Sequence, residues 1–299
     1  MLFLGNNMGT TTIHTANRLK PLELLNGKQL SFDTPLVMGI VNITPDSFYD
    51  GGKYESPEDA IKQAEKLIAE GADIIDVGAA STRPNAVMLT SGEELERLLP
   101  VLDALIASNP DIIISVDTFH AQVAEEAVKH GALIINDVSG GTMERAMLKT
   151  VAVLKVPYII MHMQGTPETM QHNPQYEDVT KEVYNFLFQQ VERAHYAGIK
   201  QVIVDPGFGF GKTVEHNYTL LNTLGTFRKL GLPVMAGLSR KSMINKVIKT
   251  KPQNALTGTI ALNTLALVQG ANILRVHDVK EAKEVIKLVN QYLHPSAQV

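Results

Sequence analysis

Polar residues able to do acid–base, ion-pair or ligand chemistry recur in this sequence at one kind of place, directly after a short apolar run. Val37–Val41 runs into Asn42, Ile74–Ile75 into Asp76 and Ile112–Val116 into Asp117. Leu133–Ile135 leads to Asn136 and Asp137, Ile159–Met161 to His162, and Val202–Val204 to Asp205. Val234–Gly237 precedes Ser239, Arg240 and Lys241, and Ile273–Leu274 precedes Arg275 and His277. The set splits by chemistry. Asp76, Asp117, Asn136 and Asp205 offer acceptors and one amide, and a carboxylate accepts two parallel N–H groups from a guanidine-like edge. Buried carboxylates need such donors, because an unpaired one is costly. Asn42, Thr82, Arg275 and His277 offer donors, and His277 adjoins Asp278-Val279-Lys280-Glu281, the spacing of a helix cap whose N-terminus attracts phosphate. Phe208 and Phe210 flank Asp205 closely enough to stack on a flat ring. Together these groups suit a flat amino-heterocycle carrying a phosphate group.

Each residue also has a plainer reading. A single Asp after an apolar run can cap or anchor a loop, and Asp76 reads either way. Asp137 can pair across a neighbouring loop, the two phenylalanines can be packing, and His162 can be a satisfied core histidine. Lys280 to Lys287 reads as a solvated helix face. Gly211-Lys212-Thr213 resembles the end of a phosphate-binding P-loop, but Pro206 stands where that motif needs its first glycine. None of the nine histidines has a metal-binding His-Glu-x-x-His spacing.

The apolar runs begin near residues 36, 73, 112, 133, 157, 201, 234 and 273, about 34 residues apart on average, which is the size of a βαβ unit. Near-continuous apolar strands suit a parallel sheet covered by helices. Between them, Ser56-Pro57-Glu58-Asp59 and Ser91-Gly92-Glu93-Glu94 carry helix-start signals, and a long helix is expected from Asp178 to Tyr196 before Gly198. The regular alternation predicts a (β/α)8 barrel over residues 36–293, whose strand ends converge on one mouth where active sites sit. An open doubly wound sheet is the rival. Residues 1–11 read as a disordered tail, 12–35 as an extension forming a hairpin at the barrel bottom, and 294–299 as a tail. The loops Thr44–Lys53 and Ser81–Ser91 are long enough to act as lids.

The composition is that of a soluble globular protein, 44% hydrophobic and 19% charged. A formal charge of −4 argues against general nucleic-acid binding. There are no cysteines, so disulfides and thiolate metal sites are excluded. No apolar run reaches the ~20 residues of a membrane span. A cytoplasmic location and a symmetric dimer through outer helices are expected.

Several strings resemble the dihydropteroate synthase family. Asn42-Ile43-Thr44-Pro45-Asp46-Ser47-Phe48-Tyr49-Asp50-Gly51-Gly52 looks like its first signature and Ser81-Thr82-Arg83-Pro84 like its second loop. Ser115-Val116-Asp117-Thr118, Ile135-Asn136-Asp137, Asp205-Pro206-Gly207-Phe208-Gly209-Phe210, Ser239-Arg240-Lys241-Ser242 and Arg275-Val276-His277-Asp278 follow in the family's order. The resemblance covers roughly residues 36–293. It implies a transferase that joins 6-hydroxymethyl-7,8-dihydropterin diphosphate to 4-aminobenzoate, giving 7,8-dihydropteroate and pyrophosphate in folate biosynthesis. It implies that Asp117, Asn136, Asp205 and Lys241 hold the pterin, with Asp76, Phe210 and Val276 lining the substrate site. It further implies that Thr82, Arg275 and His277 hold the diphosphate, Asn42 ligates Mg2+, and Arg83, Pro84 and Ser242 seat aminobenzoate. Asp117, Lys241, Arg83, Arg275 and His277 form the implied catalytic set, acting on an SN1-like path. The second loop departs from the family's Gly-Gly-Glu-Ser-Thr-Arg-Pro-Gly pattern: Ala80 removes a carboxylate and Asn85 replaces a glycine. A pterin-binding methyltransferase domain and a catalytically silent pterin-binding protein are the competing readings.

Overall fold

In the computed structural model, residues 19–43, 57–80, 88–166, 169–170 and 173–296 are described. A short antiparallel hairpin opens this part, β1 (Leu22–Glu23) paired with β2 (Gln29–Leu30). The chain then alternates strand and helix: β3 (Leu36–Asn42), α1 (Pro57–Ala69), β4 (Ile74–Gly78), α2 (Ser91–Ser108), β5 (Ile113–Asp117) and α3 (Ala121–Lys129). It continues with β6 (Ile134–Asp137), α4 (Met147–Leu154), β7 (Tyr158–Met161), α5 (Val179–Ala197), β8 (Val202–Asp205) and α6 (Val214–Asn222). It ends with β9 (Met235–Ala236), α7 (Ser242–Ile248), α8 (Leu256–Val268), β10 (Ile273–Val276) and α9 (Val279–Leu293).

The large sheet has eight parallel strands in the order β8-β7-β6-β5-β4-β3-β10-β9. A parallel bridge between Val204 and Val234 joins its two ends, and the Val204 N–H donates to the Pro233 carbonyl at 2.9 Å. The sheet is therefore a (β/α)8 barrel, and the open doubly wound alternative is set aside.

Alternation along the strands sorts the side chains into two compartments. Ile75, Val77, Ile114, Val116, Ile135, Tyr158, Ile160, Val202, Val204 and Leu274 face outward and pack under the helices. Met38, Ile74, Ile134, Ile159, Ile203, Met235 and Ile273 face inward and fill the lower half of the barrel. Leu22, Leu24 and Leu30 of the hairpin segment join this inner cluster with Leu36, so the hairpin plugs the barrel at the strands' N-terminal ends. Burying each such side chain contributes about 1.5–3 kcal/mol.

Ser56, the expected cap of α1, lies outside the described residues; the other helix signals hold with two corrections. The α2 capping box is built on Thr90, whose side chain accepts from the Glu93 N–H while Glu93 reaches back to the Thr90 N–H. Ser91, the expected cap, is the first helical residue. Both hydroxyl residues stand three positions before a glutamate, but Thr90 has the extended backbone of a cap while Ser91 is already helical. Asp178 caps α5, accepting from the Lys181 N–H at 3.0 Å, so that helix runs from Val179 to Ala197. Asp278 stands at the start of α9 but makes no side-chain cap bond, for a reason that lies in the site.

Candidate active site

The period of two that makes the barrel floor apolar makes its mouth polar. Two residues beyond Ile74, Ile134, Ile203 and Ile273, on the same inward phase, stand Asp76, Asn136, Asp205 and Arg275, and Asp117 follows Ser115 in the same way. Five strands thus project charged or amide groups into one layer above the inner core.

Arg275 ties that layer together. Its Nε donates to Asp76 Oδ2 at 2.6 Å and an Nη donates to Asp117 Oδ2 at 2.8 Å. The same Asp76 oxygen accepts from Asn136 Nδ2 at 3.0 Å. Asp76 is fully buried, and its Oδ1 has no partner among the described residues. Burial pushes the Asp117 carboxyl up to about 7; the Arg275 guanidinium opposes this and Asp76 reinforces it. Burial works against the Arg275 charge, but the flanking carboxylates outweigh it and hold the guanidinium above its usual range. The sequence reading sorted acceptors and donors into two kinds of chemistry without pairing them. The structure instead threads a cation between two of the acceptors, because two buried carboxylates this close need a shared counter-charge.

Asp205 and Lys241 form a second charged group beside it. Asp205 Oδ1 accepts from the Gly207 N–H at 2.7 Å, and burial raises its carboxyl while Lys241 lowers it. Lys241 Nζ donates to the Phe208 carbonyl and lies 4.9 Å above the centre of the Phe210 ring, within cation–π range. Burial brings the Lys241 ammonium down to about 8, against the pull of Asp205.

The loops after β9 and β10 are pinned to each other at the rim. Ser239 Oγ accepts from the His277 N–H at 3.2 Å and lies 3.0 Å from His277 Nδ1. Arg240 grips Asp278 with two donors, Nε at 3.0 Å and an Nη at 2.5 Å. This bidentate pair takes the carboxylate expected to cap α9. Arg240 has a left-handed backbone, φ 57°, which a non-glycine residue holds only where its surroundings impose it. Here its N–H donates to Thr259 Oγ1 at 3.0 Å and its carbonyl accepts from Asn245 Nδ2 at 3.1 Å.

Of the residues expected to form the site, Asp76, Asp117, Asn136, Asp205, Lys241 and Arg275 come together. His277 lies on the adjoining rim and Ser242 opens α7. Asn42 ends β3 in register with Gly78. Phe210 packs at the mouth with Phe119, Val138 and Met161. Phe208 does not: its ring is fully buried in the outer core, so only its carbonyl serves the site. Val276 likewise faces the helices, since it is out of phase with Arg275, and any contact it makes with a ligand is through its backbone. Asp137 is out of phase with Asn136 and accepts from Ser139, Gly141 and the Tyr158 hydroxyl, which makes it a structural residue. Thr82, Arg83 and Pro84, and the loop 44–53, lie outside the described residues. Sequence reasoning missed Met161, which enters the mouth between Asn136 and Asp205; its phase with Ile159 was the available signal. It also missed Ser239 and Arg240 as ties, for which no local signal exists. Among the described residues no group of three His, Asp or Glu side chains is arranged to hold a metal, and no helix is long and apolar enough to cross a membrane.

Known proteins resemble this chain along most of its length. The profile described as pterin binding enzyme matches residues 38–277. The dihydropteroate synthase of Escherichia coli K12 is 46% identical over 269 residues, 89% of this chain and 95% of that one. The Yersinia pestis dihydropteroate synthase, solved with a sulfonamide drug, superposes with a TM-score of 0.88 at 40% identity, covering 92% of this chain and 99% of that chain. The Xanthomonas albilineans enzyme in complex with 7,8-dihydropteroate superposes at 0.82 with 38% identity, covering 92% and 99%. With that agreement along nearly its whole length, the chain belongs to the dihydropteroate synthase family of pterin-binding enzymes.

Proposed function

We propose that this protein condenses 6-hydroxymethyl-7,8-dihydropterin diphosphate with 4-aminobenzoate to give 7,8-dihydropteroate and pyrophosphate. The observation that carries the reading is the inward layer of Asp117, Asn136 and Asp205, flanked by Arg275 and Lys241. The 2-amino-4-oxo pyrimidine edge of a pterin presents parallel donors and an acceptor, which two carboxylates, an amide and an ammonium can satisfy together. Asp117 and Asp205 accept the ring N–H groups, Asn136 pairs by donor and acceptor, and Lys241 donates to the ring's acceptor face. Phe210 gives the ring an aromatic neighbour.

The diphosphate lies toward the rim, where Arg275, His277 and the start of α9 favour negative charge. Heterolysis of the methylene carbon–oxygen bond releases pyrophosphate and leaves a cation delocalised into the pterin. Asp117, as a carboxylate, faces that positive charge and stabilises it. The aromatic amine then adds to the methylene carbon and gives up its proton, restoring neutrality. Its weak basicity makes orientation matter more than activation. Asn42, an oxygen donor at the end of β3, would be one ligand for a hard cation such as Mg2+. When bound, the ion neutralises charge on the leaving group.

The test is to measure pyrophosphate release from the pterin diphosphate with and without 4-aminobenzoate and with ring-substituted anilines. Release coupled to dihydropteroate formation, at a rate insensitive to amine basicity, is expected. Binding without turnover would move the function to one of the competing pterin-binding readings, and strong dependence on basicity would replace the SN1-like path. The water-borne, charged substrate fits the expected cytoplasmic location. A homodimer is supported by the exposed Val247, Ile248, Leu265, Leu288 and Tyr292 on α7, α8 and α9; sedimentation as a monomer at micromolar concentration would refute it.

A further inference from the structure

Two residues with no part in the chemistry above meet under the pterin pocket. Lys212, the lysine of the false P-loop, is buried, and so is His162 at the end of β7. Lys212 Nζ lies 2.9 Å from His162 Nδ1 and donates to the carbonyls of Gly207 at 2.8 Å and Phe210 at 3.0 Å. The His162 carbonyl lies farther from Nζ, at 3.4 Å, and the three nearer partners fill the tetrahedral positions of Nζ in either protonation arrangement. An ammonium donates to all three, while a neutral amine donates to the carbonyls and accepts from an Nδ1–H.

The loop from Asp205 to Lys212 is consequently held from both sides. Its glycines turn left-handed, φ 71° at Gly207 and 62° at Gly211, so that successive carbonyls point in opposite directions. The Phe208 carbonyl faces the pocket and takes Lys241. The Gly207 and Phe210 carbonyls face down and take Lys212. The loop lies directly on the end of β7: a Cβ on Gly207 would strike the His162 carbonyl, and one on Gly211 would strike that of Gln164.

We infer that His162 and Lys212 are a positioning pair for pterin recognition: by clamping the underside of this loop they set Asp205, the Phe208 carbonyl and the Phe210 ring where the pterin binds. This rests on the functional reading above. Breaking the clamp loosens the parts that read the pterin and leaves Asp117, Arg275 and His277 in place. The loss therefore falls on pterin affinity and hardly on kcat.

The experiment is calorimetric titration of 6-hydroxymethylpterin into the full chain and into His162→Leu, His162→Asn and Lys212→Met, alongside thermal unfolding and the KM and kcat for each substrate. Asparagine can serve the lysine by donor or acceptor, and leucine by neither. His162→Leu and Lys212→Met are expected to weaken pterin about tenfold, the scale of one unsatisfied buried hydrogen bond, with kcat changed less than about twofold. His162→Asn should restore most of the affinity. Equal affinity in all variants, equal loss in the leucine and asparagine variants, or a loss confined to kcat would overturn the inference. If one of the two apolar variants does not fold, the other carries the comparison; if neither folds, full affinity or full loss in His162→Asn decides it. A wild-type chain that binds no pterin would instead overturn the functional reading, and this inference with it.

Discussion

The floor and the mouth of the barrel are built by the same strands two residues apart, and they solve opposite problems. At the floor, Ile74, Ile134, Ile159, Ile203 and Ile273 interlock with Met38, Met235 and the hairpin leucines. They are stable because nothing there needs water or a partner. At the mouth, Asp76, Asp117, Asn136, Asp205, Lys241 and Arg275 are nearly as enclosed, yet every charge depends on another. One face of the barrel is spent on stability and the other holds charge in a low-dielectric layer. The layer is not fully satisfied by the described residues. Asp76 Oδ1 and Ser115 Oγ have no partner among the described residues, a state that a floor residue has no polar atom to reach.

Substitutions should separate the two regions. Asp117→Asn should lower kcat/KM by roughly 10²–10³, the scale of losing one electrostatic contact to a developing charge, while the melting temperature does not fall. A fall in Tm with activity retained would put Asp117 on the stability side. Ile203→Ala at the floor should do the reverse: unfolding free energy drops by about 2–5 kcal/mol, and pterin KM in the folded fraction stays within about twofold. A large rise in KM there would mean that floor and mouth are not separable. The smallest effect is in the pH profile of kcat/KM, which reports groups of the free enzyme. The Asp117 carboxylate forms as pH rises through about 7, and the Lys241 ammonium is lost as pH rises through about 8. Activity should climb through the first value and decline through the second, giving a narrow bell. Asp117→Asn should remove the acid limb, and a flat profile would show that neither ionisation matters.

Much of this contrast was legible in the sequence, because the strand period and the chemistry coincide. A run such as Val202–Val204 followed by Asp205 names both a strand and the group at its end. The runs also placed the mouth, since parallel strands deliver all their C-termini to one side. Side-chain phase was the finer clue, and where it was overlooked Phe208 and Val276 were drawn into a pocket that their rings and methyls do not enter. The cap at Thr90 rather than Ser91 shows the one-residue margin of hydroxyl signals. Contacts between loops were not legible at all. Arg240 with Asp278, Ser239 with His277 and Lys212 with His162 pair residues 38 to 50 positions apart, and no local pattern marks such partners. Asp278 had a good helix-cap spacing and lost its role to an arginine from another strand end. The Arg275 bridge between Asp76 and Asp117 was hidden likewise, since each residue alone fits a simpler use.

The central claim is that the mouth reads the amino-pyrimidine edge of its ligand. It is tested most directly by comparing the affinity of a pterin with that of the same ring carrying an oxo group in place of the 2-amino group. If Asp117, Asn136 and Asp205 accept that edge, the oxo compound should bind at least a hundredfold more weakly, because buried acceptors would face an oxygen instead of a donor. Equal affinity for the two rings would contradict the account.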